Sequence, residues 1–140
     1  MEALELYESF MEELTEHEAE AKAVGKPIQP PPLPPLMAAY PDVANADDYI
    51  SMIIAKIKSS ELEETLLVLP LDFVAKLLTT IETLLLKRYP CELLCRTFFF
   101  LIELHFAPMS SSPELLTMIK RINDLANRKL TDLRDMMGYN

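Results

Sequence analysis

Apolar residues along this chain recur at the three- and four-residue spacing that places side chains on one face of an α-helix. The clearest case is the segment of residues 71–85, which lies between two prolines. Its apolar stripe consists of Leu71, Val74, Leu77, Leu78, Ile81 and Leu85. Because several other segments have the same period, the pattern predicts an all-α fold.

Residues 1–25 are predicted to form an acidic amphipathic helix with eight glutamates, and Gly25 fits the residue that follows its last turn. The apolar positions alternate in steps of four and three, which is heptad spacing. We interpret Tyr7, Phe10 and Leu14 as candidate partner-binding positions, through which the helix could dock on its own domain or on another chain. The full stripe is Ala3, Tyr7, Phe10, Leu14, His17, Ala21 and Val24.

A proline-rich segment, residues 26–43, follows this helix and contains seven of the eleven prolines. Because proline lacks an amide donor and disfavours helix, we expect an extended, semi-rigid linker without helix that leaves the first helix detached. Its "PPPLPP" stretch fits a ligand of SH3-type domains, but Lys26 is poorly placed as the basic residue of such ligands. We therefore favour a spacer.

Residues 44–140 are expected to form one helical domain, punctuated by four further prolines. The predicted architecture is a compact bundle or short solenoid of about five helices, plus the detached N-terminal acidic helix. The helices are expected to begin at about Ala46, at Ser60, at Pro70, at Pro90 (to about Phe106) and after the "SSSP" cap at 110–113 (to Gly138).

The helix that begins at Ser60 is short because Pro70 stops it. Ser60 has the residue type of an N-cap, and Glu63 lies at the matching capping-box position. A helix of this length is marginal alone and needs packing to persist. We interpret it as a fixed corner between two longer helices, useful for shaping a rigid binding surface.

Composition narrows the classes of function. Two glycines are too few for most β-rich folds and leave no glycine-rich phosphate loop. The net charge of −9, from 22 acidic and 13 basic residues, argues against a general nucleic-acid binder. No apolar run reaches the roughly 18 to 20 residues of a membrane span, and the acidic N-terminus is unlike a signal peptide.

No group of residues predicts a metal, a cofactor or catalysis. Cys91 and Cys95 are one helical turn apart, but His105 lies about 15 Å further along a helix, too far to share an ion. We interpret the cysteines as small core residues of a reduced intracellular protein. Neither His17 nor His105 belongs to a nucleophile–base arrangement, so the chain is predicted not to be an enzyme.

Two aromatics on the helix expected to begin at Pro90 are candidates for partner binding. Phe99 falls in the only charged stripe of that helix, with Glu92, Arg96 and Glu103, and Phe106 lies close beside it. One interpretation is that a neighbouring helix covers Phe99, because the helix is apolar nearly all round. The other is that Phe99 anchors a partner, as aromatics often do at interface centres. Both remain open at this point.

Three stretches resemble one known family. "IKSSELEETLLVLPLDFVAKLL" (57–78), "CELLCRTFFFLIELHF" (91–106) and "LRDMMGYN" (133–140) are similar to the C-terminal helical domain of Dip2-type WD-repeat proteins. The lead-in "EALELYESFMEELTEHEAEAKAVGK" resembles the acidic helix before that domain in the family's largest member. The chain therefore resembles an excised C-terminal portion, since two glycines cannot supply propeller turns.

The resemblance implies a nucleolar role in ribosome biogenesis. Family members belong to the UTP-B subcomplex of the small-subunit processome, which processes pre-18S rRNA. The expected partners are paralogous WD-repeat subunits, joined through their C-terminal helical domains, with RNA reached only indirectly. No membrane and no small-molecule substrate are expected. The alternatives are a domain that binds pre-rRNA directly and a helical scaffold subunit of another intracellular complex.

Overall fold

The computed structural model of the chain describes residues 2–25, 31–57, 59–87 and 89–136. Within these ranges it contains seven α-helices and no β-strand, which confirms the all-α prediction. The helices are α1 (Glu2–Val24), α2 (Pro35–Ala38), α3 (Ala46–Lys56), α4 (Ser59–Leu67), α5 (Leu71–Leu85), α6 (Cys91–Met109) and α7 (Pro113–Met136).

The helices form two compact units. The first, Met1–Lys56, contains α1 to α3, and the second, Ile57–Asn140, contains α4 to α7. The domain boundary expected from the sequence, at residue 44, lies inside the first unit. The two divisions differ because α3 packs against α1.

Helix α1 is not detached within the first unit, which corrects the sequence-based expectation. It packs against α3, and its three buried residues are Leu4, Tyr7 and Phe10. Burying a large apolar side chain stabilises a fold by about 1.5–3 kcal/mol, so a stripe of three such residues favours docking over standing free. The helix ends as predicted: Gly25 has a φ of 70°, and its amide donates to the carbonyl of Ala21 over 3.0 Å.

The proline-rich segment is only partly extended. Residues 31–34 have no regular structure, but α2 forms one helical turn, so the expectation that the whole segment excludes helix is wrong. Pro35 takes the first helical position, where a missing amide costs nothing because that amide has no partner within the helix. Met37 of this turn is fully buried. Residues 26–30 lie outside the described part of the chain.

The second unit is organised around α6. This helix packs against α4, α5 and α7, and α5 also packs against α7. The apolar stripe predicted for residues 71–85 faces this core with Val74, Leu77 and Leu78, but Leu71 is exposed. The side chains with no exposed surface include Leu78, Ile81, Leu84, Phe98, Leu101 and Ile122.

Helix ends in the second unit depart from the sequence pattern in one clear case. The helix expected to begin at Pro90 is predicted to end near Phe106, but α6 runs through Pro108 to Met109. Proline near a helix end removes only one donor, and the amide of Ser110 still donates to the carbonyl of Phe106 over 2.8 Å. The cap before Pro113 is confirmed: the amide of Leu115 donates to Oγ of Ser112 over 3.4 Å.

Candidate functional site

Helix α6 leaves two large aromatics uncovered although three helices pack against it. Phe99 is 41% exposed and Phe106 is 50% exposed. They are seven residues apart, close to two helical turns, so they share one face of α6. Glu92, Arg96 and Glu103 are exposed on the same face. We call these five residues the aromatic surface.

The two neighbouring phenylalanines of α6 differ in burial. Phe98 is fully buried, whereas the ring of Phe99, 5.4 Å away between centroids, is open to solvent. No neighbouring helix in the described part of the chain therefore covers Phe99 in the way expected of a core residue. An exposed aromatic pair on an otherwise packed helix has the composition of an interface centre.

The short helix α4 is bonded to α6 by a histidine whose role the sequence did not indicate. His105 is buried, and its Nε2 donates to the carbonyl of Leu66 over 2.7 Å. Leu66 lies in the last turn of α4, where carbonyls have no partner within the helix. The bond therefore fixes the end of α4 against α6. Directly after Leu66, the side chains of Leu67 and Val68 are exposed, so the end of α4 presents an aliphatic surface.

The predicted cap of α4 is not settled by the structure. The helix begins at Ser59, one residue earlier than expected, which places Ser60 in the first turn. Lys58, which precedes the helix, lies outside the described residues. Ser60 and Glu63 are both exposed. Their capping role stays a prediction.

The candidate positions on α1 divide between core and surface. Tyr7 and Phe10 are buried, and the Tyr7 hydroxyl donates to Oδ1 of Asp47 over 2.5 Å. Asp47 lies in the first turn of α3, so this bond joins the two helices. Leu14 is half-buried. Tyr7 and Phe10 therefore pack in the core of the first unit, and their role in binding a partner stays a prediction.

The cysteines occupy a packed position on α6. Cys91 is half-buried, Cys95 is buried, and both are free thiols. Burial, with the nearby Cys91 adding to the effect, raises the pKa of the Cys95 thiol from 9.0 to about 11. Among the described residues, no three His, Cys, Asp or Glu side chains are grouped so that they could hold a metal ion.

The negative charge of the chain is concentrated in the first unit. Residues 1–56 contain 11 acidic and 3 basic residues, whereas residues 57–140 contain 11 acidic and 10 basic residues. One basic residue on α7 is paired with a carboxylate: Nη2 of Arg121 donates to Oε1 of Glu82 on α5 over 3.0 Å, and Nε of Arg121 donates to Oε2. This pairing raises the pKa of Arg121. No helix in the described ranges is long and apolar enough to cross a membrane.

Comparison with known proteins supports the resemblance read from the sequence. Over its full 140 residues the chain is 37% identical to WD repeat-containing protein 3 of Homo sapiens and 35% identical to the Mus musculus protein of that name. It spans 15% of the length of each. An alignment 100 positions long, which covers 67% of the chain, is 29% identical to U3 small nucleolar RNA-associated protein 12 of Saccharomyces cerevisiae and spans 11% of that protein.

The family match covers all of the second unit and α3. Residues 45–140 match the Dip2/Utp12 Family, and this range includes the three stretches on which the resemblance rested. The lead-in helix α1 falls outside the family match but inside the alignment with the human protein. The chain therefore belongs to the Dip2/Utp12 family.

Proposed function

We propose that this chain is a non-catalytic assembly module of a nucleolar ribosome-biogenesis factor in the small-subunit processome. Its second unit binds the C-terminal helical domain of a paralogous WD-repeat subunit. The observation that carries this proposal is the exposure of Phe99 and Phe106 on α6, the central helix of the unit. Family membership supplies the biological setting, since one relative is named for its association with U3 small nucleolar RNA.

The aromatic surface has the chemistry of a protein interface. Two aromatic rings give a large apolar contact area, and the flanking Glu92, Arg96 and Glu103 form a polar rim that can pair with a partner. The unit beneath is rigid at this point because α6 is packed on three helices and is bonded to α4 through His105. A rigid backbone lowers the entropy cost of binding.

Direct binding of pre-rRNA is the second candidate and is less favoured. RNA binding relies on Lys and Arg contacts to phosphates. The second unit has nearly equal numbers of acidic and basic residues, and the first unit is strongly acidic. Arg121 on α7 is already bonded to Glu82. A filter-binding titration with single-stranded RNA should show only weak binding at 150 mM salt; tight binding with a steep salt dependence would favour the RNA alternative.

The assembly proposal is tested by Phe106→Ala and Phe99→Ala in the whole 140-residue chain. The affinity of each variant for each paralogous C-terminal domain, purified separately, is measured by isothermal titration calorimetry. We expect the dissociation constant for the true partner to rise at least tenfold, about 1.4 kcal/mol, because interface aromatics carry much of the binding energy. The unfolding free energy should fall by less than the roughly 3–5 kcal/mol of a core Phe→Ala change.

Leu86→Ala provides a matched control. Leu86 is 67% exposed just after α5, so its truncation removes comparable apolar surface outside the aromatic surface. Binding should be unchanged in this variant. Unchanged binding in both phenylalanine variants, or destabilisation of Phe106→Ala as large as that of a core residue, would contradict the docking role.

A further inference from the structure

The second half of α1 carries a face that α3 cannot cover. At 1.5 Å per residue the 23 residues of α1 span about 34 Å, whereas the 11 residues of α3 span only about 16 Å. All of residues 11–24 are described by the structure, and none of them is fully buried. Val24 at the end of the stripe is 59% exposed.

This second half of α1 keeps the heptad pattern of the first half, and its seam is only half-buried at Leu14, His17 and Ala21. With Tyr7 as position a, Leu14 and Ala21 are the next two a positions, and His17 and Val24 are d positions. The Nε2 atom of His17 is buried and has no hydrogen-bond partner within the described residues. The apolar seam therefore continues past Phe10 and contains an unsatisfied polar atom.

The charges beside the seam specify the chemistry of a partner. The positions that flank a and d in a coiled coil are e and g, and here they are occupied by Glu13, Glu18 and Glu20. All three side chains are exposed. A shallow depression of about 210 Å³ on one flank is lined by Glu13, Glu16, His17, Glu20 and Pro31, so acidic groups dominate it.

We infer that residues 13–24 of α1 bind an amphipathic helix of another protein that carries Lys or Arg at its e and g positions. A second copy of this chain is a poor partner, because in a parallel pair Glu13 of one copy would face Glu18 of the other. A basic helix instead places opposite charges across the seam. This interface lies on the first unit and does not depend on the aromatic surface.

The test uses two designed 21-residue helical peptides and the whole chain. Both peptides have Ile at a and Leu at d; one has Lys and the other has Glu at every e and g position. Binding is measured by fluorescence anisotropy at 50 mM and 500 mM salt. We expect the Lys peptide to bind, more weakly at high salt, and the Glu peptide not to bind. Failure of the Lys peptide to bind at low salt would overturn the inference.

Two triple variants separate the seam from bulk charge. Glu13→Lys, Glu18→Lys and Glu20→Lys reverse the flanks of the seam. The control, Glu2→Lys, Glu5→Lys and Glu12→Lys, makes the same change in net charge at exposed positions that lie off the seam and outside the depression. The seam variant should lose at least tenfold in Lys-peptide affinity and gain binding to the Glu peptide, whereas the control should lose less than about threefold.

Equal losses in the two triple variants would overturn the inference, since binding would then follow net charge alone. Self-association is checked by light scattering. The native chain should not dimerise through α1; a dimer that the substitution Leu14→Asn dissociates would also overturn the inference. The triple variants and the light-scattering measurement test α1 and not the aromatic surface. Phe106→Ala should leave Lys-peptide binding unchanged, so the two proposals can fail independently.

Discussion

At the scale of single residues, two buried polar side chains add hydrogen bonds between helices to the apolar packing of the core. Tyr7 bonds to Asp47, 40 residues away, and His105 bonds to the carbonyl of Leu66, 39 residues away. Each such bond contributes about 0.5–1.5 kcal/mol net, and more is lost when one partner is left buried alone. These residues therefore position the helices relative to one another within each unit.

Cys95 should be unreactive in the folded chain. Its pKa is raised to about 11 by burial, so at pH 8 almost no reactive thiolate is present. We expect iodoacetamide at pH 8 to label the half-buried Cys91 and to leave Cys95 unlabelled, as read by peptide mass spectrometry. In denaturant both thiols should react. Rapid labelling of Cys95 in the native chain would show that the second unit opens locally around α6.

The raised pKa of the Cys95 thiol makes the folded state less stable at high pH. The folded thiol retains its proton between pH 9 and about 11, where the unfolded thiol, with a pKa near 9.0, has lost it. The folded state therefore binds more protons in that window, and stability decreases as pH rises through it. The decrease in the urea midpoint from pH 8.5 to 10.5 should be smaller in Cys95→Ala than in the native chain.

At the scale of elements, proline and serine determine where helices begin more reliably than where they end. Helices α2, α5, α6 and α7 each begin at or directly after a proline, where the missing donor costs nothing. Helix α6 continues past Pro108 to Met109, because a proline near a helix terminus interrupts only one bond. A proline therefore marks a start strongly and a stop weakly.

Ser112→Ala should destabilise the second unit. Oγ of Ser112 accepts a bond from the Leu115 amide at the start of α7, and losing such a cap costs about 0.5–2 kcal/mol. Ser111→Ala is the matched control, because Oγ of Ser111 donates to the carbonyl of Pro108 and does not cap α7. Thermal unfolding followed by circular dichroism should show the larger loss for Ser112→Ala. Equal melting temperatures would mean that the cap contributes nothing measurable.

At the scale of the whole molecule, the chain has two units of different charge character. The first is strongly acidic and is built on α1 and α3, and the second is nearly neutral and is built around α6. We propose separate binding roles for them: a basic helix on α1 and a paralogous helical domain on the aromatic surface. An assembly module with two unlike surfaces can join two different partners at once.

A fragment of residues 57–140 should fold alone. It contains α4 to α7 and their shared core, so it should unfold cooperatively in urea. A fragment of residues 44–140 adds α3 without α1, which exposes Tyr49, Ile50 and Ile54. We expect the added residues to exchange amide hydrogens rapidly and to contribute no protected helix. Cooperative folding of 44–140 but not of 57–140 would instead support a domain boundary at residue 44.

The sequence by itself determined the fold class, most helix positions and the family. These depend on local information: the 3.6-residue period, the prolines at helix starts, the glycine after α1 and the three contiguous family stretches. The order of helices along the chain follows directly from such signals. Phe99 could also be singled out from the sequence, because an aromatic within a charged stripe is visible on a helical wheel.

Tertiary structure alone decided which faces are covered. Periodicity shows that Tyr7 and Phe10 lie on an apolar face of α1 and that Phe99 lies on a charged face of α6. It cannot show which of those faces meets another helix. Burial depends on contacts between residues some 40 positions apart, such as Tyr7 with Asp47 or His105 with Leu66, and these leave no local signal. For that reason Tyr7 and Phe10 on α1 lie in a core, whereas Phe99 and Phe106 on α6 lie at the surface.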